Sequence, residues 1–278
     1  MTTASPEPGA DTGAPPAPLR PVGGGRLAGA RTVFALILRE MTTTYGRTPG
    51  GYIWAILQPV AMIVMLTLAF SLFLRSPSLG TNFVLFYSTG VLPLRAFQNV
   101  SSSVAAAMAF NRALLGYPRV TFMDSILARL ILAVLTQVMI FAVVMGGIFL
   151  LFDIREIIDW GPVVEAFSLA VLLGAGAGVA NCFLFHLAPT WTIIWGILTR
   201  PLIFISGIFY IYEELPGQAA ALLWYNPMIH VTGLMRRGVY ATYDASYVSV
   251  LYVSLFAVLP LLLGLMLLRQ FNRDVLHL

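Results

Sequence analysis

The stretch DSILARLILAVLTQVMIFAVVMGGIFLLF, residues 124–152, decides the class of fold. It is longer than the roughly 20 apolar residues that an α-helix needs to cross a bilayer, and its acidic residue, Asp124, lies at its start. The whole chain has a similar character, because 59% of its 278 residues are hydrophobic and only 10% are charged. A soluble domain carries about 25% charged residues. The sequence therefore predicts an all-α integral membrane protein.

Five further apolar segments, on either side of this stretch, are long enough to cross a bilayer. They are residues 52–74, 82–110 (which we expect to be broken near Pro93), 162–187, 191–212 and 247–268. The prediction is therefore six transmembrane helices. Residues 213–246 are also apolar, but Pro216 and Pro227 interrupt them. Because irregular backbone is tolerated at membrane depth only where protein covers it, we expect short re-entrant helices before the last span.

Two segments of different character precede the first span. Residues 1–25 are rich in Pro, Gly and Ala, which predicts a disordered tail. Residues 26–48 show apolar side chains at helical spacing, which predicts an amphipathic helix in the membrane interface. Its predicted apolar face is Phe34, Ile37, Leu38, Met41 and Tyr45, with Arg39, Thr43 and Arg47 opposite. Residues 49–273 then form the transmembrane domain, and residues 274–278 form a short cytoplasmic tail.

The distribution of arginine predicts the orientation of the chain, because cytoplasmic loops are enriched in basic residues. With the N-terminus inside, nine arginines fall on the cytoplasmic side and four on the other. The cytoplasmic set is Arg20, Arg26, Arg31, Arg39, Arg47, Arg112, Arg119, Arg269 and Arg273, and the opposite set is Arg75, Arg155, Arg236 and Arg237. We therefore expect both termini to be cytoplasmic.

The basic residues, the cysteine and the histidines exclude several function classes. All 16 basic residues are arginine, whereas a P-loop needs a lysine on the nucleotide phosphates, so any ATPase that drives this protein is another polypeptide. The single Cys182 and the scattered histidines predict no metal site. No zinc-helix or nucleophile-elbow motif occurs. We expect a protein that is not an enzyme and holds no cofactor of its own.

Two arginines, Arg95 and Arg200, lie deep in predicted spans, each close to a proline. A charge at that depth costs several kcal/mol unless it is paired or hydrated. One interpretation is contact with an anionic substrate or a lipid-linked phosphate. The other is snorkelling, or capping of a helix end at a proline break. No acidic residue lies near the middle of a predicted span, which argues against a proton-coupled carrier.

Small and aromatic residues mark the later spans. Gly174 and Gly178 form a GxxxG pattern that lets helices approach closely, and we expect Gly146 and Gly147 to serve the same end. Aromatic residues are dense in and after the fifth span, where they form either an interfacial belt or a stacking path for sugar rings. They are Trp191, Trp195, Phe204, Phe209, Tyr210, Tyr212, Trp224 and Tyr225.

Three segments, in order, resemble a known family. Residues 39–59 contain REM, YGR, GYIWA and QP, residues 111–119 read NRALLGYPR, and residues 206–238 contain SGIFY, LP, YNPMIH and LMRRG. This series resembles ABC-2 type permeases of the capsular polysaccharide export family, over about residues 27–273. One departure is Thr232-Gly233, where relatives often carry an acidic residue, so a role for that acid is not carried over.

The resemblance implies a transmembrane subunit of an exporter for lipid-linked capsular polysaccharide in the bacterial inner membrane. Two copies would pair with two copies of a nucleotide-binding ATPase subunit, which binds ATP and Mg. A periplasmic co-polymerase and an outer-membrane exporter would continue the path. No nucleic-acid partner is implied.

The resemblance also assigns expected roles along the chain. A coupling loop, residues 111–121, would dock on the ATPase through Asn111, Arg112, Leu115, Tyr117, Pro118 and Arg119. The entrance would be framed by Arg39, Glu40, Tyr45, Arg47, Tyr52 and Trp54. The substrate path would use Arg95, Arg200 and the eight aromatic residues named above. An outer gate, residues 213–241, would include Asn226, Pro227, His230, Arg236 and Arg237.

Two groups of alternatives stay open at this point. Within the family, the cargo is O-antigen, teichoic acid, or a small drug or lipid. Outside it, the chain is an ATP-independent secondary carrier or channel, with a membrane enzyme as the weakest reading. A stable complex with a nucleotide-binding subunit would exclude the carrier and the channel.

Overall fold

The computed structural model describes residues 28–44, 50–115, 120–154 and 156–277, and these residues form helices and loops without a β-strand. The all-α prediction is confirmed. The helices are α1 Ala28–Thr44, α2 Gly51–Ser71, α3 Phe83–Ala105, α4 Ala107–Leu115, α5 Phe122–Leu151, α6 Trp160–Leu187, α7 Thr190–Thr199, α8 Leu202–Ile205, α9 Gly217–Leu223, α10 Pro227–Val239 and α11 Val250–His277, with a 3₁₀ turn at Tyr212–Glu214.

Four helices begin at a polar side chain that accepts a backbone N–H, as expected for N-caps. Asn82 caps α3, Asp159 caps α6 and Asn226 caps α10. Thr121 and Asp124 form a reciprocal capping box at the start of α5. The local sequence therefore fixes where these helices begin, directly after a loop.

Among the described residues, four helices are long and apolar enough to cross a membrane. They are Ile53–Ser71 in α2, Phe122–Leu151 in α5, Trp160–Leu187 in α6 and Val250–Phe271 in α11. They correspond to the first, third, fourth and sixth predicted spans. The other two predicted spans are not confirmed as crossings, and entry of residues 213–246 into the bilayer stays a prediction.

The second predicted span forms α3 and α4 instead of a helix broken near Pro93. Pro93 lies inside a continuous α3 and is buried, whereas the interruption comes at Ala106, between α3 and α4. The predicted break at Pro93 is therefore wrong. A proline is tolerated inside a helix when neighbouring elements cover the carbonyl that it leaves free.

The fifth predicted span is divided into two short helices. Helix α7 ends at Thr199 and α8 begins at Leu202, on either side of Arg200 and Pro201. Proline lacks the N–H that a continuing helix requires, which explains a break at this position. Neither helix has a buried residue, so this segment lies on the outside of the single chain.

Helix α6 is the centre of the bundle and packs against α3, α10 and α11. A Cβ at Gly174 or Gly178 would lie within 3.0 Å of α3 atoms, and one at Gly176 would collide with a carbonyl of α11. The predicted close approach at Gly174 and Gly178 is confirmed. The same prediction for Gly146 and Gly147 is not confirmed, because nothing in the described part of the single chain lies within 4 Å of their Cβ positions.

Candidate functional site

The predicted entrance helix is α1, and it lies along α5. Its buried side chains are Leu36 and Glu40, whereas Phe34, Leu38 and Met41 are exposed. An apolar face left uncovered by the bundle is what a helix in the membrane interface requires. This arrangement supports the predicted amphipathic character of the segment.

The other predicted entrance residues are less completely described. Trp54 lies near the start of α2 and is 63% exposed. Tyr52 belongs to the first turn of α2, and its side chain lies outside the described part of the chain. Tyr45 and Arg47 also lie outside the described residues. Their predicted role at the entrance stays a prediction.

Glu40 forms an ion pair that the sequence analysis missed. Its carboxylate Oε1 accepts from Nε of Arg129, on α5, at 2.6 Å, and both side chains are less than 10% exposed. The Arg129 guanidinium lies over the ring of Phe110, on α4, with Cζ 4.3 Å from the ring centroid. A carboxylate and an aromatic face are both favourable partners for a guanidinium.

A second set of contacts joins the same three helices. Nη1 of Arg39 donates to Oδ1 of Asn111 at 3.2 Å, and Nδ2 of Asn111 donates to Oγ of Ser125 at 2.7 Å. Ser125 in turn donates to the carbonyl of Ala107 at 2.9 Å. We call the six residues Arg39, Glu40, Phe110, Asn111, Ser125 and Arg129 the Arg129 cluster.

The Arg129 cluster brings together two sets of residues that the sequence analysis kept apart. Arg39 and Glu40 come from the predicted entrance, and Asn111 comes from the predicted coupling loop. The signal for Arg129 was present in the sequence. It is an arginine inside the stretch 124–152, a position that is unfavourable without a partner.

The remaining predicted coupling residues follow Asn111 along α4 and beyond it. Arg112 is exposed, and Leu115 is the last residue of α4. Tyr117, Pro118 and Arg119 lie outside the described residues. The structure therefore describes the helix that leads into the predicted docking loop and the capped start of α5 that follows it.

The two deep arginines are placed differently. Arg95 is partly buried on α3, where Nη2 lies 3.1 Å from the sulfur of Met62 on α2 and Nε is buried without a partner. No carboxylate of the described residues pairs with it. Arg200 is exposed, at the break between α7 and α8.

The eight predicted path aromatics do not form one row in the single chain. Trp191 donates to Asn181 on α6 at 2.9 Å, and Trp195 packs against the main core. Phe204 stacks on Phe209, with ring centroids 5.6 Å apart. Phe204 is 64% exposed and Tyr210 is partly buried. Of the other three, Tyr212 directly precedes the predicted outer gate, and Trp224 and Tyr225 lie within it.

The rings of these three residues contact other rings of the protein. Tyr212 stacks on Tyr247, with ring centroids 4.0 Å apart, and Trp224 lies edge-on to His230 at 5.1 Å. Tyr225 is 68% exposed, and its ring lies edge-on to that of Trp224 at 5.7 Å. All three aromatic residues therefore contribute to packing, and Tyr225 is the most exposed of them.

Arg236 is the centre of a second buried cluster. It is 2% exposed, and its Nη1 and Nη2 donate to the carbonyls of Tyr210 at 2.6 Å and Ile208 at 3.1 Å. Its Cζ lies 4.1 Å from the ring centroid of Phe86, and no carboxylate of the described residues pairs with it. We call Phe86, Ile208, Tyr210 and Arg236 the Arg236 cluster.

The remaining outer-gate residues also hold α10 in place. Nδ2 of Asn226 donates to the carbonyl of Ile205 at 2.8 Å, and Pro227 follows as the first residue of α10. Arg237 is the exposed residue of a helix that is otherwise largely buried. The predicted gate segment is therefore fastened to the bundle along most of α10.

His230 is fully buried and uses both ring nitrogens. Nδ1 accepts the N–H of Ser249 at 3.3 Å, so Nε2 carries the proton that is donated to the carbonyl of Trp224 at 2.8 Å. Burial lowers the pKa of this imidazole, in spite of its backbone hydrogen bonds. His230 is therefore neutral and joins α10 to the segments before and after it.

Known proteins match this chain over most of its length. The sequence profile of the family described as "ABC-2 type transporter" matches residues 31–240. The chain is 32% identical over 238 residues to the polysialic acid transport protein KpsM of Escherichia coli, covering 86% of this chain and 92% of that protein.

Two further relatives carry names that refer to capsule export. The capsule polysaccharide export inner-membrane protein CtrC of Neisseria meningitidis serogroup B is 29% identical over 246 residues. The protein of the same description, BexB of Haemophilus influenzae, is 28% identical over 257 residues. Each match covers 88% of this chain and 92% of the relative.

Proposed function

This chain belongs to the ABC-2 type transporter family, and from that premise we propose that it is the transmembrane subunit of an exporter for capsular polysaccharide. The observation that carries the proposal is the similarity to KpsM, CtrC and BexB over 86–88% of the chain. The polymer, which we propose to be lipid-linked, crosses the inner membrane through this subunit.

A separate ATPase subunit supplies the energy in this proposal. The chain contains no lysine, whereas a P-loop needs one to contact the nucleotide phosphates. The docking segment is α4 and the loop that follows it, with Asn111, Arg112, Leu115, Tyr117, Pro118 and Arg119. Both termini lie on the side of this ATPase, in a chain that crosses the membrane several times.

Two copies of the chain form the pathway. Helix α2 supports this, because only 11% of its most apolar residues are buried within the single chain. Helices α7 and α8 are also uncovered and carry exposed Ile193, Ile197 and Phe204. In a membrane these faces meet lipid or another protein, and a second copy would cover them on one side.

Arg95 supports a path for an anionic cargo. It is a partly buried guanidinium with one sulfur contact, and none of the carboxylates that the structure describes pairs with it. Phosphate and carboxylate groups are the strongest partners for such a side chain. Arg200, exposed at the break between α7 and α8, would offer a second cationic point along the same route.

The outer segment has the role of an exit lined by α10. Because α10 is fastened by Asn226 and Arg236, opening would move it together with the helices on which it packs. A periplasmic co-polymerase and an outer-membrane exporter would receive the polymer there. Neither partner is needed for the membrane step itself.

The test is purification of the tagged full chain in mild detergent from its native membrane, followed by mass spectrometry. Co-purification of a P-loop ATPase, and loss of surface polysaccharide on deletion of the gene, are the expected results. A chain that purifies alone, or whose deletion leaves the capsule unchanged, contradicts the proposal. A chain that purifies alone would favour a carrier or channel, and an unchanged capsule would favour another cargo of the same family.

A further inference from the structure

We propose that Arg129 is a positioning residue that makes the entrance helix α1 move together with the segment that docks on the ATPase. The inference rests on the proposed function. It adds a residue, and a physical connection between two sites, that the family resemblance does not supply.

The Arg129 cluster joins α1 to α4 and α5, which lie far from α1 along the chain. Glu40 and Arg129 are 89 residues apart in sequence, and Arg39 and Asn111 are 72 residues apart. Helix α5 is the main neighbour of α1, and the two polar contacts lie next to one another on that surface. Apart from Glu40, the buried side chain of α1 among the described residues is the apolar Leu36.

The Arg129 cluster has residues on both helices that flank the loop between α4 and α5, which belongs to the proposed docking segment. Phe110 and Asn111 lie on α4, which ends at Leu115, and Ser125 and Arg129 lie in the first turns of α5, which begins at Phe122. A displacement of the loop between these helices acts on both of them. Arg129 and Asn111 then pass that displacement to α1, because both bind side chains of α1 directly.

The chemistry of the pair suits a connection that must hold during movement. Arg129 presents Nε to Glu40 and the face of its guanidinium to Phe110, so it bonds to α1 while it packs on α4. A lysine has neither the planar face nor the Nε–H group. Both charged side chains are less than 10% exposed, so water competes weakly for them.

A charge exchange tests the pairing in the intact complex. Arg129→Glu and Glu40→Arg, each alone, place like charges together, and we expect polysaccharide export to fall at least about tenfold. The double variant restores an opposite pair but not the contact of residue 129 with Phe110, so we expect export to recover at least about threefold over either single variant without reaching wild type. Arg31→Glu, an exposed position on α1, is the control with the same charge change and should export normally.

A reversible cross-link separates positioning from folding. In a Cys182→Ala background, Glu40→Cys with Arg129→Cys removes the pair, and a short bis-methanethiosulfonate reagent reconnects the two helices. In vesicles holding the chain and its ATPase, we expect ATP-dependent polymer transport to be low, to rise several-fold on cross-linking, and to fall again with reductant. A purely structural role would not respond reversibly in protein that is already folded.

Three outcomes overturn the inference. Normal export by both single variants would show that the pair transmits nothing. An assembled double exchange variant that stays inactive would show that charge pairing is not the relevant property. A cysteine pair whose transport is the same with and without the cross-link would show that α1 needs no connection to α5. Absence of an ATPase from the wild-type preparation would instead contradict the proposed function.

Discussion

The two arginine clusters hold a buried guanidinium in different ways, one beside the first turns of α3, at Phe86, and the other on α4, the helix that follows α3, at Phe110. Arg129 pairs with the carboxylate of Glu40 at 2.6 Å, whereas Arg236 donates to two backbone carbonyls and pairs with no carboxylate of the described residues. Both guanidinium groups lie over a phenylalanine ring, that of Phe110 or of Phe86. About 35 Å separates the ends of α3, a helix of 23 residues.

This difference indicates which cluster joins helices that move and which cluster holds a backbone segment in place. The ion pair joins side chains of two separate helices, so it holds α1 to α5 without fixing the backbone of either helix. Arg236 instead holds backbone carbonyls directly, and these would be left without a buried donor if it moved away. We therefore interpret the Arg236 cluster as a fastening of residues 206–212 to α10, and the Arg129 cluster as a connection between moving parts.

The largest expected effect on stability is that of Arg236→Met. The variant leaves the carbonyls of Ile208 and Tyr210 without their donor, and we expect the free energy of unfolding to fall by about 2–4 kcal/mol. Thermal denaturation of the purified chain in detergent measures the change. The neighbouring, exposed Arg237→Met is the control and should stay within about 0.5 kcal/mol of wild type. Equal stability of the two variants would remove the distinction between the clusters.

The Arg129 cluster should respond to single and double substitutions differently. Glu40→Gln or Arg129→Gln alone leaves one charge unpaired at low exposure, and we expect a loss of about 1–3 kcal/mol. The double variant leaves no unpaired charge, so its loss should be smaller than the sum by at least about 1 kcal/mol. The same denaturation experiment gives the coupling energy. Strictly additive losses would mean that the ion pair contributes nothing to the contact of α1 with α5.

A smaller effect is expected in the pH dependence of stability, which involves His230 on α10, the helix that carries Arg236. Burial lowers the pKa of His230, so the unfolded chain takes up a proton at a higher pH than the folded chain does. The contribution of His230 to stability is then complete above its ordinary pKa of about 6.5 and declines as pH falls below it, by at most about 1.4 kcal/mol per pH unit. His230→Gln should lose this component of the pH dependence. Identical pH profiles for the two proteins between pH 7.5 and 5 would contradict it.

The smallest effect on stability is expected from Arg95, which belongs to neither cluster. Arg95→Met removes a cation without a carboxylate partner, so unfolding should change by less than about 0.5 kcal/mol. Export should fall about tenfold if the guanidinium binds an anionic cargo, since a charged hydrogen bond contributes about 1.5–3 kcal/mol. Arg95→Lys is the control that keeps the charge. Unchanged export with a marked loss of stability would assign Arg95 a structural role instead.

Much of the fold follows from local properties of the sequence. The apolar stretches predicted the spans in α2, α5, α6 and α11, because composition alone decides which helices suit a bilayer. The same rule predicted a span over residues 82–110, but α3 is not confirmed as a crossing, and its polar Ser88, Thr89 and Ser101 are buried within the protein. The break near Pro93 was wrong for a related reason, because the cost of a proline depends on what surrounds it.

The sites were predictable as segments but not as contacts. The resemblance located Arg39, Glu40 and Asn111, yet only the packing of α1 on α5 shows that they meet at Arg129. Arg236 was counted on the non-cytoplasmic side and placed in the outer gate, but nothing in the sequence predicted that it would be one of the largest fully buried side chains. Long-range pairs of this kind depend on tertiary geometry, and hydropathy carries no information about them.

The glycines of α6 have a mechanical consequence. Gly174 and Gly178 bring α6 against the backbone of α3, while Gly176 brings it against α11 on the other side. A helix held on two flanks at backbone distance resists torsion about its own axis, because any rotation drives side chains into a neighbouring main chain. Helices α3, α6 and α11 are then expected to move as one rigid body. Bending is concentrated where helical geometry is interrupted, at Ala106 after α3 and at Phe271 in α11.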